Sequence, residues 1–548
     1  MRKARALGSV VIVALSCAPL LAVAGGGAGD GSRASVIVQG PDLAAAAAAV
    51  RSTGGTVTHE LGVIRAVGAR LAPAQVEQLR RAGGALRIYD DGKVKTCGGA
   101  IADSNYPSLV RARELYQQGF YGQGVTVAVL DTGVWYNKDD IKDEIKEEIR
   151  NDLKGNKRVL AEYDAVVGAL TRVRDESGHG THVTSVMASA RVSDDGQPIG
   201  VAPMVGLVAV RAFDREGKGT YLDVIRGIDW VIDNRARYGI RVLNLSFSAP
   251  PRSHYWDDPL NQAVMAAWQS GIVVVASAGN TGPGPMSVGV PGNVPYIITV
   301  GAMSDNYTPG DPTDDFLTSF SATGPTYEGF VKPDLVAPGG HMLGVMDENH
   351  QLIALQHPEY ATADNHLFVM SGTSQSAAVV SGVVALMLNV QPSLTPDEVK
   401  FRLMATAEPA VRPDNTAAYS VFQQGAGLVD AYAAAWSAVP GTANPGLDVA
   451  ADLAGTQHFG GYANRDEAGT YYLTNLKGDG YLWSGAYMWS GGYLWSGAYL
   501  WSGGYLWSGG YLWSGAYLWS GSYPWGGAYS FSAELEEPAS VNIWVTQQ

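Results

Sequence analysis

The stretch Val125-Thr126-Val127-Ala128-Val129-Leu130-Asp131-Thr132-Gly133 is an apolar, β-branched run that ends in a carboxylate and a turn. An uninterrupted run of this kind, rather than an alternating one, marks a strand covered on both faces. Three similar runs follow: Val242-Leu243-Asn244-Leu245, Gly271-Ile-Val-Val-Val-Ala276 and Ile297-Ile298-Thr299-Val300. Helical patterns separate them. Residues 101–437 are therefore predicted to form an α/β domain, a doubly wound, mostly parallel sheet with helices on both faces. One further stretch, with Ile141, Ile145, Ile149 and Leu153 among Lys, Asp and Glu, reads as a surface helix with a narrow apolar stripe.

Upstream, residues 35–94 read as β-α-β-β-α-β, the split βαβ plan of a small ferredoxin-like α+β unit. Pro73 falls in the first turn of its second helix. Before it, Arg2, Lys3 and Arg5 precede an apolar run that closes on Ala22-Val23-Ala24, so residues 1–24 read as a secretory signal. No other stretch reads as apolar enough to cross a membrane. Cys17 and Cys97 are the only cysteines; once the signal is cut, Cys97 has no internal partner.

Downstream, Gly441-Thr-Ala-Asn-Pro-Gly446 has linker composition, and residues 438–480 are expected to be a linker and connecting segment. From Tyr481 to Ala528 run eight hexads of the form Tyr-Leu-Trp-Ser-Gly-(Ala/Gly), which carry eight of the 14 tryptophans. A fixed short period means an array. In a parallel coil all Tyr and Trp share one face and Leu and Ser the other, so residues 481–548 are predicted to be a β-rich tail, a small β-solenoid in preference to a meander or a disordered tract.

The chain has 548 residues, 46% of them hydrophobic and a formal net charge of −14. That length calls for two to four folded units, and the apolar fraction excludes a wholly disordered chain. The acidic balance excludes nucleic acid as a partner, because phosphate neutralisation needs clustered cations. Residues 1–100 carry a net +6 and residues 438–548 a net −6, so a basic leader precedes an acidic body.

Four islands carry chemistry. Asp131 ends the first strand, Gly178-His179-Gly-Thr-His182-Val183 follows, Ala276-Ser277-Ala278-Gly-Asn280 ends another strand, and Ser371-Gly-Thr-Ser374 opens a long apolar helix. Each alone is weak: a strand-terminal Asp is usually a turn residue, and Gly-Thr-Ser an N-cap. The His179/His182 pair has no third cluster to complete a metal site. Together they make one machine. A serine needs a base to become a nucleophile, an aspartate fixes the imidazole tautomer, and an asparagine amide donates to the developing oxyanion.

In these motifs the chain resembles the subtilisin-like serine proteases, the subtilase family. Asp131-Thr-Gly, His179-Gly-Thr-His-Val and Gly372-Thr-Ser374 match its three signatures, and Asn280 matches its oxyanion asparagine. Flanking segments agree, among them Gly200-Val-Ala-Pro203 and Lys332-Pro-Asp-Leu-Val-Ala-Pro-Gly339. The resemblance covers about residues 105–435 and implies a secreted serine endopeptidase made as a zymogen. It implies Ser374 as nucleophile, His179 as general base then acid, Asp131 as its orienter, and a structural His182. It implies that Ser246, Phe247 and Ser248 line one wall of the substrate cleft and Ala276, Ser277 and Ala278 the other. Residues 25–100 look like the family's inhibitory prodomain, which makes the chain its own partner beside protein or peptide substrates. Two departures stand out: Phe247-Ser248 replaces the usual Leu-Gly, which puts the pocket's shape in doubt, and Ala378 replaces a Pro after the nucleophile. No cofactor is required; relatives often bind structural calcium, but no loop here has a diagnostic ligand spacing. The aromatic tail suggests contact with carbohydrate or a cell surface. The competing readings are a pseudoprotease that binds surfaces through this tail, and a carboxyl-type relative with Glu in place of His.

Overall fold

A computed structural model describes residues 34–61, 65–81, 86–90, 105–134, 158–193, 196–347, 349–362, 367–414, 416–473, 539–540, 544–545 and 547. The signal at 1–24, both cysteines, the striped helix at 141–153 and the hexads at 481–528 lie outside the described residues. The chain divides into two compact units, Met1–Gly98 and Gly99–Gln548.

The first unit runs β1 (Ala34–Gln39), α1 (Leu43–Ser52), β2 (Thr56–Leu61), β3 (Ala66–Leu71), α2 (Pro73–Arg81) and β4 (Arg87–Asp90). Its strands form one antiparallel sheet in the order β2-β3-β1-β4. The Asp42 carboxylate caps α1 by accepting the Ala45 N–H at 2.7 Å. Val36, Val38, Val50, Val67, Leu71 and Leu79 fill the space between sheet and helices. Gly55 sits where a Cβ would lie 2.1 Å from Leu71 Cδ2, so a side chain at the turn out of α1 would displace the buried Leu71.

The second unit is built on β5 (Thr126–Asp131), β6 (Val159–Asp164), β7 (Gly206–Arg211), the short β8 (Lys218–Gly219), β9 (Ile240–Leu245), β10 (Val273–Ser277), β11 (Ile298–Ser304) and β12 (Leu335–Pro338). All but β8 join one sheet, parallel in the order β12-β11-β10-β9-β5-β7-β6, with two-residue antiparallel strands added on β6 and β11. Every residue of β5, β10, β11 and β12 is buried, which is why their sequences are continuously apolar. Helices α3 (His179–Ala188), α4 (Tyr221–Tyr238), α5 (Pro259–Gln269) and α6 (Thr373–Val390) cover the sheet, α3 packing on α6 and α4 on α5.

Helix α6 corrects one expectation. By length and mean hydropathy, 1.4, it is apolar enough to cross a membrane, but 89% of it is buried inside this unit. It is the spine of the core, apolar on all sides because it is covered on all sides. The strands around it deliver Asp131, Ser246 and Ser277 to their carboxyl ends, where open α/β sheets place their sites. The Lys332-Pro-Asp motif also finds a physical reason: Lys332 Nζ meets Asp334 Oδ2 at 2.6 Å, and Lys400 Nζ lies 3.1 Å from Asp334 Oδ1, all three groups buried.

The segment expected to be a linker is packed. Asn444, at φ +57° in the left-handed region asparagine tolerates, donates from Nδ2 to Tyr296 O at 3.0 Å and to Asp397 Oδ1 at 2.7 Å. Beyond it α7 (Val449–Leu453) buries Asp452, whose Oδ2 accepts from the Tyr255 and Tyr296 hydroxyls at 2.6 and 3.0 Å and whose Oδ1 contacts His458 Nδ1 at 2.7 Å. A hairpin of β13 (Ala463–Arg465) and β14 (Tyr471–Leu473) follows. Linker-like composition hid these contacts, because they are made by polar side chains with no apolar periodicity. Ending the chain at 439 strands two buried tyrosine hydroxyls, each loss worth about 1–3 kcal/mol. A chain ending at 473 keeps them. Thermal unfolding of the two chains, both carrying Ser374→Ala to stop autolysis, should show the shorter one several degrees less stable; equal midpoints would mean that 440–473 contributes nothing.

Candidate active site

The site begins at the end of β5. Asp131 Oδ1 lies 2.7 Å from His179 Nδ1, with both side chains only 1% exposed. The same oxygen accepts the Thr132 N–H at 2.7 Å, which fixes the carboxylate against the backbone. Gly180 allows the approach: a Cβ there would come within 2.2 Å of the Gly133 carbonyl oxygen. The imidazole is thus held by the first turn of α3 against the turn that ends β5.

Asp175, which the sequence reading missed, ties these two turns together. Its Oδ1 accepts from Thr132 Oγ1 at 2.9 Å and from the Ser177 and Gly178 N–H groups at 3.0 and 2.8 Å. Its Oδ2 accepts from the Thr181 N–H and hydroxyl at 2.8 and 2.6 Å. Burial pushes this carboxyl above its ordinary value, against the pull of those donors. The signal was present in the sequence: an acid three residues ahead of Gly178, at the mouth of a helix, has the spacing of an Asx-type cap.

His182, one turn further along α3, is wholly buried and serves packing. Its Nε2 faces the Phe368 carbonyl at 3.0 Å and its Nδ1 faces Gln375 Nε2 at 3.3 Å, so Nε2 carries the hydrogen and Nδ1 accepts.

Ser374 is the second residue of α6 and is fully buried. Its hydroxyl donates to the Ser246 carbonyl at 2.8 Å, while the Ser246 hydroxyl donates to the Ser374 carbonyl at 3.0 Å. The two expected positions are therefore locked face to face. Asn280 stands beside them: its Oδ1 accepts the Thr373 N–H and hydroxyl at 3.0 and 2.8 Å. Two donors on one atom settle the amide's orientation, and Nδ2 points away from Thr373.

The expected cleft walls are placed unevenly. Ser277 Oγ donates to Phe247 O at 3.0 Å, joining the two walls. Ala276 and Ala278 are fully buried, and Ser248 is half-buried beside Gly279. The Phe247 ring is buried in the main core against Phe213, with centroids 5.0 Å apart, so Phe247 gives the wall its backbone and not its side chain. Ala378 lies inside an unbroken α6. Among the described residues no group of three or more His, Cys, Asp or Glu side chains gathers as a metal site would.

A model of the subtilase family matches residues 122–427. The chain is similar to the serine protease AprX of Bacillus subtilis (strain 168), 36% identical over 321 residues that span 57% of this chain and 67% of that protein. It is similar to subtilisin DY of Bacillus licheniformis, 30% identical over 336 residues, 60% of this chain and 96% of the other. With subtilisin E of Bacillus subtilis (strain 168) it shares 28% over 389 residues, 70% and 84% of the two chains. The chain belongs to the subtilase family. It is a serine endopeptidase of the subtilisin type, a hydrolase of proteins or peptides.

Burial lowers the His182 imidazole from 6.5 to about 4. The folded state therefore favours the neutral ring, and the unfolded chain binds the extra proton between those values. Stability present above about pH 6.5 is lost as pH falls toward 4, by roughly 3 kcal/mol at full effect. Denaturant midpoints at pH 7 and pH 4.5 should fall less for His182→Gln than for the parent, both in a Ser374→Ala background. Parallel declines would rule out His182 as a source of the acid sensitivity.

Proposed function

We propose that this endopeptidase is secreted as a zymogen and that Asp131, His179 and Ser374 form its acyl-transfer triad, with Asn280 as oxyanion donor. The observation that carries the reading is the 2.7 Å contact of Asp131 with His179 in a pair shut off from water, in the unit whose buried α6 opens on Ser374.

The steps follow from these positions. Ser374 Oγ turns from the Ser246 carbonyl onto His179 Nε2 and attacks the substrate carbonyl as the imidazole takes its proton. Asp131 keeps Nδ1 protonated and stabilises the imidazolium. The Asn280 amide and the N-terminal N–H groups of α6 meet the negative oxygen. The imidazolium then protonates the leaving amine, and water repeats the sequence on the acyl-enzyme. Acyl transfer of this kind needs no metal.

Residues 1–24 direct export, and residues 25–100 act as an inhibitory prodomain, removed by cleavage between Lys95 and Tyr106. Support comes from the leader's composition, from the compact antiparallel unit at 34–90 and from its basic charge ahead of an acidic body. The hexads, rich in Tyr and Trp, are assigned to contact with carbohydrate or a cell surface.

Ser374→Ala should lower turnover roughly 10⁶-fold, and Asn280→Leu about 10²–10³-fold with KM nearly unchanged, magnitudes borrowed from subtilisin. A steady-state assay with a short peptide substrate reads both. An Asn280 variant changed mainly in KM would assign that amide to substrate binding. Isolated 25–95 should inhibit the mature enzyme, and salt should weaken this only partly, since screening acts on exposed charges. No inhibition at any soluble concentration would sink the prodomain assignment.

A further inference from the structure

The last residues of the chain return to the catalytic unit. Strand β15 (Ala539–Ser540) pairs antiparallel with β8, Ala539 opposite Gly219 and Ser540 opposite Lys218. Trp544 lines one pocket with His179 and Ser371. Its ring stacks on His357 with centroids 3.8 Å apart and planes 4° from parallel, and it packs on Tyr360 and Phe368. Val545, 9% exposed, sits with Ala302 and Phe320. Gln547 Oε1 accepts the Ser371 hydroxyl at 2.8 Å, three residues before Ser374 in the chain. Val541, Asn542 and Ile543 lie outside the described residues.

We propose that the end of the chain is a built-in ligand of the peptidase cleft, held by strand pairing at Ala539 and Ser540, by Trp544 as anchor and by Gln547, and competing with substrate. The proposal rests on the triad reading above, which makes the His179 pocket the substrate site. Three independent contacts support it. Main-chain pairing on a short edge is how sheets capture extended peptides. Trp544 is half-buried, and an aromatic stacked in a pocket is the kind of residue that contributes most to peptide affinity. The hydrogen bond to Ser371 fixes the far end next to the nucleophile's helix. The sequence suits the role: Val541, Ile543, Trp544, Val545 and Thr546 have high strand propensity, and 539–548 holds no charged side chain to resist burial. The tether makes binding intramolecular, so even a weak peptide occupies the cleft when its dissociation constant is below the effective concentration, on the order of millimolar.

A competitor in cis raises the apparent KM and leaves kcat alone. The mature secreted chain is compared with a chain ending at Pro538 and with full-length Trp544→Ala, on one short peptide substrate, with intact masses recorded. Truncation should lower the apparent KM about tenfold or more at constant kcat, and Trp544→Ala should lower it several-fold. A synthetic 538–548 peptide should inhibit the truncated chain competitively, and its Trp544→Ala version should not. Equal KM values in the three chains, with no inhibition by the peptide at millimolar concentration, overturn the proposal. So does a mature mass ending before residue 539 in a chain whose Ser374→Ala form keeps that end, since the segment would then be cut and not held. If no chain reacts with an active-site fluorophosphonate, the triad reading fails and this proposal with it. If all react and KM does not differ, the proposal alone fails.

Discussion

The carboxylate of Asp175 has no access to water, and the geometry of the active site hangs on it. A buried charge is costly unless it is fully hydrogen-bonded. Here the donors come from two places at once: the Thr132 hydroxyl, next to Asp131, and the Ser177, Gly178 and Thr181 groups that open α3. Meeting the needs of one carboxylate therefore fixes the end of β5 against the start of the histidine helix. The 2.7 Å contact between Asp131 and His179 follows from that arrangement. Gln351 adds a further link, its Nε2 donating to Thr181 Oγ1 at 2.9 Å and to the Asp175 carbonyl at 3.2 Å. A loop distant in sequence is thereby held on the same carboxylate.

Burial explains what could be read from the sequence and what could not. The parallel strands were legible because a strand covered on both faces must be apolar throughout, as Val127 to Leu130 and Val273 to Ala276 are. The four islands could be located in the sequence because each stands at a strand end or a helix start, where small and polar residue types interrupt the apolar pattern. Contacts made by polar side chains left no periodic trace. Asn444 and Asp452 anchor the extension after 440 through single side chains, so a stretch with loop composition proved to be part of the packed unit. Phe247 was misleading for a related reason. Two residues past the end of β9 its ring turns into the core, and only its backbone reaches the wall shared with Ser277. Helix α6 met the criterion for a membrane span, because the inside of a large core and the inside of a bilayer select the same side chains.

Strand β8 brings out a constraint special to enzymes that cut extended chains. An unpaired edge is a hazard that most proteins blunt with charge, proline or a cover. A peptidase that reads its substrate as a strand must keep such an edge available. Lys218 gives it one charge, and Gly219 is confined by its own surroundings: a Cβ there would lie 2.6 Å from the Ala212 carbonyl oxygen and 2.7 Å from the Phe213 ring. Position 219 therefore has no room for a side chain, and pairing through main chain is made without regard to whose main chain it is. Any strand-forming segment on the same polypeptide competes for it, with the advantage of its tether. Ala539 and Ser540 lie on this edge, and Trp544 fills the neighbouring hollow at His357. Selectivity for an outside chain must then come from side-chain subsites that favour it over the chain's own end, which holds its place there through the stack of Trp544 on His357.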